Sequence, residues 1–422
     1  MLEQLRAFWP AELHGRLFLA GGAVRDHLLN NPRNDADMVA LVSTGILIKL
    51  GFVRIDGVST DPVWVRTVAG VGRIEVRPIE PALPLEEELA RRDFTVNAIA
   101  MRMDGTVIDP LGGATALAEK RLTACSAHSF ADDPARLFRA FRFECGGYAM
   151  DGETKRMIAG RDWEGALRHI PVERFSREME KAFGLERPRH FFDAMAEHKV
   201  GRVYFPELFR MASVPAGPLE YHPEGDLFTH SLEVLERVTA LSTDPLTRFG
   251  AFMHDIGKLL TEPAAYPKHH DHDKAGAPLA KKICARMRLP GDWGKAAAAA
   301  SHLHQTAGLW PALRDTTKLR LAERAARTGM ERRLPVIVRA DRGNFDEEQW
   351  AHAVNAATMT VEELGINPHI FEECKDDDWC KTSCPMHKRG RKCPMPEAER
   401  SAFLIQRRIE KYRQLVGVKQ RG

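Results

Sequence analysis

The chain has 422 residues, which against a typical domain of roughly 150 residues predicts two or three domains with packed cores. Hydrophobic residues at 44% and charged residues at 28% exclude a mainly disordered chain. The longest apolar run, Met38 to Ile48, is far short of the ~20 residues of a membrane helix. The amino terminus, acidic at Glu3 and without a signal-type apolar core, gives no export address, so a cytoplasmic protein without a membrane partner is expected.

A net charge of +3 conceals an uneven distribution. Residues 375–422 hold 13 Lys/Arg against 6 Asp/Glu, a charge of +7, which leaves 48 against 52, or −4, in residues 1–374. A basic tail of this kind points to a polyanionic partner. The seven cysteines are uneven as well: Cys125, Cys145 and Cys284 are scattered, while Cys374, Cys380, Cys384 and Cys393 fall within 20 residues. In a reducing compartment such a cluster favours metal binding over a disulfide framework.

In chain order, residues 1–125 mix short β-rich runs (Leu17-Phe18-Leu19, Met38 to Val42, Val63-Trp64-Val65, Arg73 to Val76) with helical stretches, predicting an α+β head with one sheet. From Pro134 onward the strand signals fade. Apolar residues three and four apart in Ala135–Cys145, Val172–Phe183 and Arg189–His198 predict helices nearly to the end. Ser213–Pro223, with Pro215, Gly217, Pro218 and Pro223, predicts a linker.

Three features of the head carry chemistry. Leu17–Ala20 runs into Gly21-Gly22 and then Ala23-Val24-Arg25-Asp26; glycines at a strand-to-helix turn let backbone N–H groups approach a phosphate, although a plain turn reads the same way. Asp35-Ala36-Asp37 precedes an apolar run. Carboxylates at i and i+2 on a strand share a face and can hold divalent cations, or simply form a solvated face. Arg136, Arg139 and Arg142 recur every three residues after Asp133, one side of a helix that is either a solvated basic face or an anion contact.

Together these residues resemble the nucleotidyltransferase signature of class II tRNA nucleotidyltransferases (CCA-adding enzymes) and the related bacterial poly(A) polymerases. Arg91-Arg92-Asp93-Phe94-Thr95-Val96-Asn97-Ala98-Ile99-Ala100 is similar to the third motif of that family, and Asp109-Pro110-Leu111-Gly112-Gly113 to the segment closing the catalytic head. Asp132-Asp133-Pro134-Ala135-Arg136 through Phe143 is similar to its nucleotide-templating motif, with Asp132 where Glu is usual. The resemblance implies template-independent addition of nucleotides to the 3′ end of tRNA from CTP and ATP. Asp35 and Asp37, with Glu75 as a third carboxylate, would hold Mg2+. Gly21, Gly22, Arg25, Arg92, Asp93, Asn97, Arg139 and Arg142 would contact the nucleotide. Asp133 and Arg136 would pair with the base edge: cytosine and adenine both offer an amino donor beside a ring nitrogen acceptor, whereas uracil and guanine present a carbonyl there.

One departure bears on the product. Members that add the full CCA carry a flexible loop between the sheet and the third motif. Here Arg77 is followed within nine residues by Glu86-Glu87-Glu88-Leu89, across a connection with three prolines, Pro78, Pro81 and Pro84. In the family, loss of this loop marks enzymes that stop after CC, so poor A addition, or A addition through a borrowed element, is expected.

Further on, His254-Asp255 before Ile256-Gly257-Lys258, with His230 upstream, Lys268-His269-His270-Asp271-His272 downstream and Asp341 beyond, resembles an HD phosphohydrolase domain. The resemblance implies a metal held by His230, His254, Asp255 and Asp341, either a divalent transition metal or Mg2+, and hydrolysis of 2′,3′-cyclic or 3′-terminal phosphates; a relic that only shapes a tRNA cradle is the alternative. In the tail, Cys374-x5-Cys380-x3-Cys384-x8-Cys393, with His387 inside, can surround Zn2+, an iron–sulfur cluster being the second choice and free thiols the third. Arg407, Arg408, Lys411 and Arg413 share an amphipathic pattern, a solvated helix or a contact with tRNA phosphates.

The expected molecule is an α+β multidomain enzyme. It comprises a nucleotidyltransferase head (1–125), a helical, nucleotide-selecting, tRNA-binding neck (126–210), a helical HD domain (220–350) and a basic tail with the cysteine cluster (365–422). A poly(A) polymerase is the rival within the class, and a phosphohydrolase with an inactive RNA-binding head the rival outside it. Oligomeric state is open.

Overall fold

The computed structural model describes residues 1–31, 35–55, 62–79, 83–371, 382, 386 and 395–417. Two compact units divide it, residues 1–203 and 204–422. The class is the expected one, a mixed sheet with helices followed by helices alone.

The first unit is built on strands β1 (Leu17–Ala20), β2 (Ala36–Ala40), β3 (Val53–Ile55), β4 (Val63–Val68), β5 (Gly72–Pro78), β6 (Ala100–Arg102) and β7 (Val107–Ile108). They form one sheet in the order β3-β4-β5-β2-β1-β6-β7. Only β2 and β5 pair in parallel, with Asp37 opposite Glu75. Side-chain alternation divides the strands between two cores. Leu17, Leu19, Ala36, Met38, Ile74 and Val76 pack with Leu5, Trp9 and Val24 on one face; Phe18, Ala20, Val39 and Ala100 pack with Ile79, Leu85 and Leu89 on the other. Asp37 lies two residues from Val39 and so shares its face. β1 ends at Gly21, whose φ of +68° and whose missing Cβ, which would lie 2.6 Å from Arg92 Nη1, leave only glycine acceptable there.

Beyond the sheet, helix Arg136–Cys145 buries Leu137, Phe138, Ala140, Phe141 and Phe143. Phe138 meets Phe175 of helix Val172–Phe183 edge-on, with ring centroids 4.8 Å apart. That aromatic contact turns the polar stripes of both helices outward. A two-residue parallel pairing of Arg121–Leu122 with Ala149–Met150 ties the helices to the end of the head.

The second unit is helical among its described residues: Leu227–Leu241, Pro245–Met253, His272–Arg286, Gly291–Gly308, Asp315–Arg327, Arg333–Arg342 and Glu347–Thr358 are its principal helices. Asp226 and Asp244 cap the first two through the backbone N–H groups of Thr229 and of Leu246 and Thr247, satisfying donors that a helix start leaves open. Buried Ala296–Ala300 lets Gly291–Gly308 approach its neighbours closely.

The predicted linker at Ser213–Pro223 lies inside this unit. Pro215 bridges to Asp226, Ala216 N–H donates to Gly225, and the Ala216 carbonyl accepts from Lys258 Nζ at 2.5 Å. Its prolines and glycines stop helix formation, and Ala216, Gly217, Pro218 and His222 border the HD pocket. In the tail, Arg408 pairs with Glu323, Arg413 with Asp315, and Arg407 with Glu410, so three of the four basic side chains proposed to meet phosphate have partners within the unit. Cys374, Cys380, Cys384, His387 and Cys393 lie outside the described residues.

Candidate active sites

In the first unit a cleft of about 450 Å3 collects Gly21, Gly22, Arg25, Asp35, Asp37, Glu75, Arg92, Asp93, Asn97, Asp133, Arg136, Arg139 and Arg142. Every head and neck residue expected to meet metal or nucleotide therefore lines one space. β2 and β5 bring Asp37 and Glu75 side by side, and Asp35 stands exposed just before β2. Burial, the charge of Glu75 and that of Asp35 hold the Asp37 carboxyl above its ordinary pKa, against the pull of Arg92 and Arg25. Arg92 is the mirror case. Burial and Arg77 lower its pKa, and its Nε is buried without a hydrogen-bond partner. An acid and a base both held in uncomfortable charge states at one spot fit a ligand bringing a cation and an anion together, as a metal-bound triphosphate does.

The other arginines are already engaged. Arg25 donates to Asn97 Oδ1 at 2.8 Å and to Asp26, and stacks over Phe143 with Arg142. Arg136 donates to the carbonyls of Arg91 and Arg92 and to Ser129, tying its helix to the third motif. Arg142 donates to Glu178. Asp133 accepts two bonds from Arg174, at 2.8 and 2.6 Å. A third bond comes from Ala135 N–H at 3.3 Å; of the carboxylate's roughly four acceptor sites one is left for a base amino group, while Arg174 fixes its plane.

Arg174, Glu178 and Lys181 also line the cleft, and Arg177 lines with them a second pocket of about 280 Å3 that shares Asp37, Glu75 and Arg92. These four residues belong to none of the motifs, and their i, i+3, i+4, i+7 spacing is the readable signal of a polar helical stripe.

Asp93 shows what the packing costs and returns. It is 4% exposed and accepts from Phe94 N–H, Asn97 Nδ2 and Arg139 Nη1. Burial raises its pKa, but Arg139 and these hydrogen bonds outweigh burial and bring it down to about 2. Its folded pKa lies below the unfolded one, so the stabilisation is complete above pH ~4 and is lost as pH falls towards 2. Asp93→Asn is expected to cost about 2 kcal/mol in urea unfolding at pH 7, with the gap to the unmodified protein closing near pH 2. An undiminished gap at that pH would refute this account.

In the second unit the HD cluster is buried. The Nε2 of His230 lies 3.4 Å from Asp255 Oδ2 and 3.4 Å from Asp341 Oδ1, and His254 Nε2 lies 3.3 Å from Asp255 Oδ2. The other Asp255 oxygen faces two further imidazoles, His272 Nε2 at 3.1 Å and His304 Nε2 at 3.2 Å. His230, His254, Asp255 and Asp341 thus come together, and His272 and His304 join them. All four rings present Nε2 inward because Nδ1 is occupied. The Nδ1 partners are Glu224 Oε1 at 2.6 Å for His230, the Ala251 carbonyl for His254, the His269 carbonyl for His272 and the Ser301 carbonyl for His304. Such partners fix the tautomer that leaves a metal-binding lone pair free.

Burial alone would lower His230, but Asp255 and Asp341 push it up to about 9. Burial would likewise raise Asp255, yet His254, Lys258 and His230 hold it well below the usual carboxylate range. This negative charge and the mixed N/O donor set suit a divalent transition metal. Asp255, His272 and His304 form one group whose ligand atoms lie within 4.8 Å of one another, and His230, His254 and Asp255 form another. Among the described residues Asp35, Asp37 and Glu75 form no such group. A pocket of about 280 Å3 opens on the cluster, bordered by Lys258, Lys268 and Arg342. Behind it Gly257 and Gly276 touch; a Cβ on Gly257 would lie 2.0 Å from the His272 carbonyl.

A carboxylate-bearing mixed sheet and a His/Asp cluster between helices define a nucleotidyltransferase joined to an HD domain. Residues 65–123 match the poly A polymerase head domain, 147–211 the probable RNA and SrmB-binding site of polymerase A, and 227–342 the HD domain. The multifunctional CCA protein of Shewanella denitrificans is 34% identical over 309 residues, 69% of this chain and 74% of that protein. That of Legionella pneumophila strain Lens is 34% identical over 327 residues, 73% and 79% respectively. The chain belongs to this family, the bacterial class II tRNA nucleotidyltransferases with an HD domain. The fold agrees with the Thermotoga maritima CCA-adding enzyme complexed with tRNA (TM-score 0.61, 19% identity, covering 100% of this chain and 93% of that one). It agrees equally with the Bacillus stearothermophilus CCA-adding enzyme in complex with CTP (0.60, 21%, 99% and 95%). No helix among the described residues is long and apolar enough to cross a membrane.

Proposed function

We propose that the head extends the 3′ end of tRNA with C and then A from CTP and ATP, and that the HD cluster removes phosphate from blocked 3′ ends. The observation that carries the first part is the single cleft lined by Asp35, Asp37 and Glu75, by the under-partnered Arg92, and by the Asp133/Arg136 pair. Arg92 takes the triphosphate, with Gly21 and Gly22 leaving room beside it, while Arg25, Arg139 and Arg142, anchored on Asn97, Asp93 and Glu178, shape the nucleotide pocket. Asp133, held flat by Arg174, accepts from the amino group of cytosine or adenine, and the Nη2 N–H of Arg136 not spent on the Arg91 carbonyl donates to the ring acceptor. Asp35, Asp37 and Glu75 would hold Mg2+ and the HD ligands a divalent transition metal or Mg2+; such ions, when bound, would supply charge neutralisation at phosphate and activation of the oxygen nucleophile. At the HD pocket Lys258 keeps Asp255 ionised and Lys268 and Arg342 receive the phosphate. Zn2+ at the four tail cysteines remains part of this proposal.

A second reading, that the enzyme stops after CC, is favoured by the short path between β5, ending at Pro78, and helix Leu85–Ala90. Incubating tRNA that lacks its 3′ end with CTP and ATP and sequencing the products separates the two. Tails ending in CC support the second, complete CCA tails the first, and A-only tails would point to a poly(A) polymerase instead.

A further inference from the structure

The helix Gly291–Gly308 has two working faces. Ser301 and His304 turn towards the HD cluster, whereas Lys295, Ala298, Ala299 and His302, at i, i+3, i+4 and i+7, turn the opposite way. On that far side they meet Ala277 and Lys281 of helix His272–Arg286 and Arg324, Arg327 and Thr328 of helix Asp315–Arg327 and its end, enclosing a groove of about 720 Å3. Its floor is Ala277, Ala298, Ala299 and Leu303. Its rim carries Lys281, Lys295, Arg324, Arg327 and His302, and no acidic side chain lines it. Arg327 is paired with Glu323; among the described residues Lys281, Lys295 and Arg324 make no salt bridge and are exposed.

We infer that this groove binds the phosphate backbone of the RNA substrate. Unpaired cations around a small-residue floor complement a phosphate strand, with the apolar floor accepting ribose faces. Lys295 and His302 are seven residues apart, about 10 Å along the helix axis, long enough for more than one phosphate. The lining contains no Phe, Tyr or Trp, His302 being its one ring, so contact is mainly to backbone and independent of sequence, as a substrate-positioning surface requires. None of these side chains is an HD ligand or lines the head cleft, which makes this an RNA contact additional to both. It rests on the reading that the chain acts on tRNA.

The test is tRNA affinity of the full chain between 50 and 200 mM salt, for the unmodified protein, for Lys281→Glu/Arg324→Glu and for the milder Lys281→Gln/Arg324→Gln. Losing two phosphate contacts is expected to weaken binding roughly tenfold or more at ~0.1 M salt and to reduce the slope of log K against log salt by about 1 to 2. Hydrolysis of bis-p-nitrophenyl phosphate, too small to need the groove, should be unchanged and certifies the fold. Binding and slope identical to the unmodified protein would overturn the groove assignment alone. An unmodified protein without affinity for tRNA would instead overturn the proposed function on which it rests.

Discussion

Release of phosphate from a tRNA ending in a 3′-phosphate is expected to fall at least about a thousandfold in Asp255→Ala, with CTP incorporation into trimmed tRNA unchanged. Asp255 is the one residue that serves both halves of the HD cluster: Oδ2 faces His230 and His254, and Oδ1 faces His272 and His304. Removing it takes the shared anion from four imidazoles, and several kcal/mol of metal-derived stabilisation corresponds to a factor of this size. It also strands the ammonium of Lys258, 5% exposed and 2.6 Å from the carboxylate, and an unpaired buried charge can cost about 3 to 5 kcal/mol of folding. Asp255→Asn keeps the volume and an acceptor for Lys258, so it separates lost chemistry from lost structure. If a folded Asn variant lost phosphate release and nucleotide addition together, the assignment of two independent sites would be wrong.

Asp37→Asn is the converse experiment. Nucleotide addition should drop by roughly a thousandfold or more, because the carboxylate next to Glu75 supplies charge that an amide cannot, while phosphate release persists. Stability should move the other way. Burial and Glu75 raise the Asp37 pKa, so the ionised form is disfavoured in the fold above that raised value, and neutralising it removes a strain present at pH 7. A melting temperature equal to or above that of the unmodified protein is therefore expected alongside the lost activity. Retained CTP incorporation would exclude Asp37 from the chemistry.

The head was largely legible because its residues sit in short local patterns: Gly-Gly at a strand end, carboxylates at i and i+2, arginines at i and i+3. Asp133 and Arg136 are legible for the same reason, but Arg174, which grips Asp133 from another helix, is not; the Phe138–Phe175 contact and the pairs of Arg139 and Arg142 with Glu178 make those helices neighbours, and none of these is a local pattern. In the second unit His254-Asp255 announced itself, whereas His304 comes from a helix about 50 residues on and looks like a buried histidine among alanines. Glu224, which orients His230, follows directly on the stretch Ser213–Pro223 whose prolines and glycines predict a linker. Composition reports that such a segment is irregular, not whether its backbone wraps a pocket.

The Gly257–Gly276 contact gives the HD centre a dimension that no ligand defines. With no carbon between the two backbones, the turn after Asp255 can lie directly against the start of the helix that carries His272, and the 3.1 Å gap between their polar atoms follows. Tolerance to change at this centre is consequently governed by two positions without functional groups. A descendant chain could keep every histidine and aspartate, gain one methyl group at residue 257, and lose the centre while its ligand inventory still reads as intact.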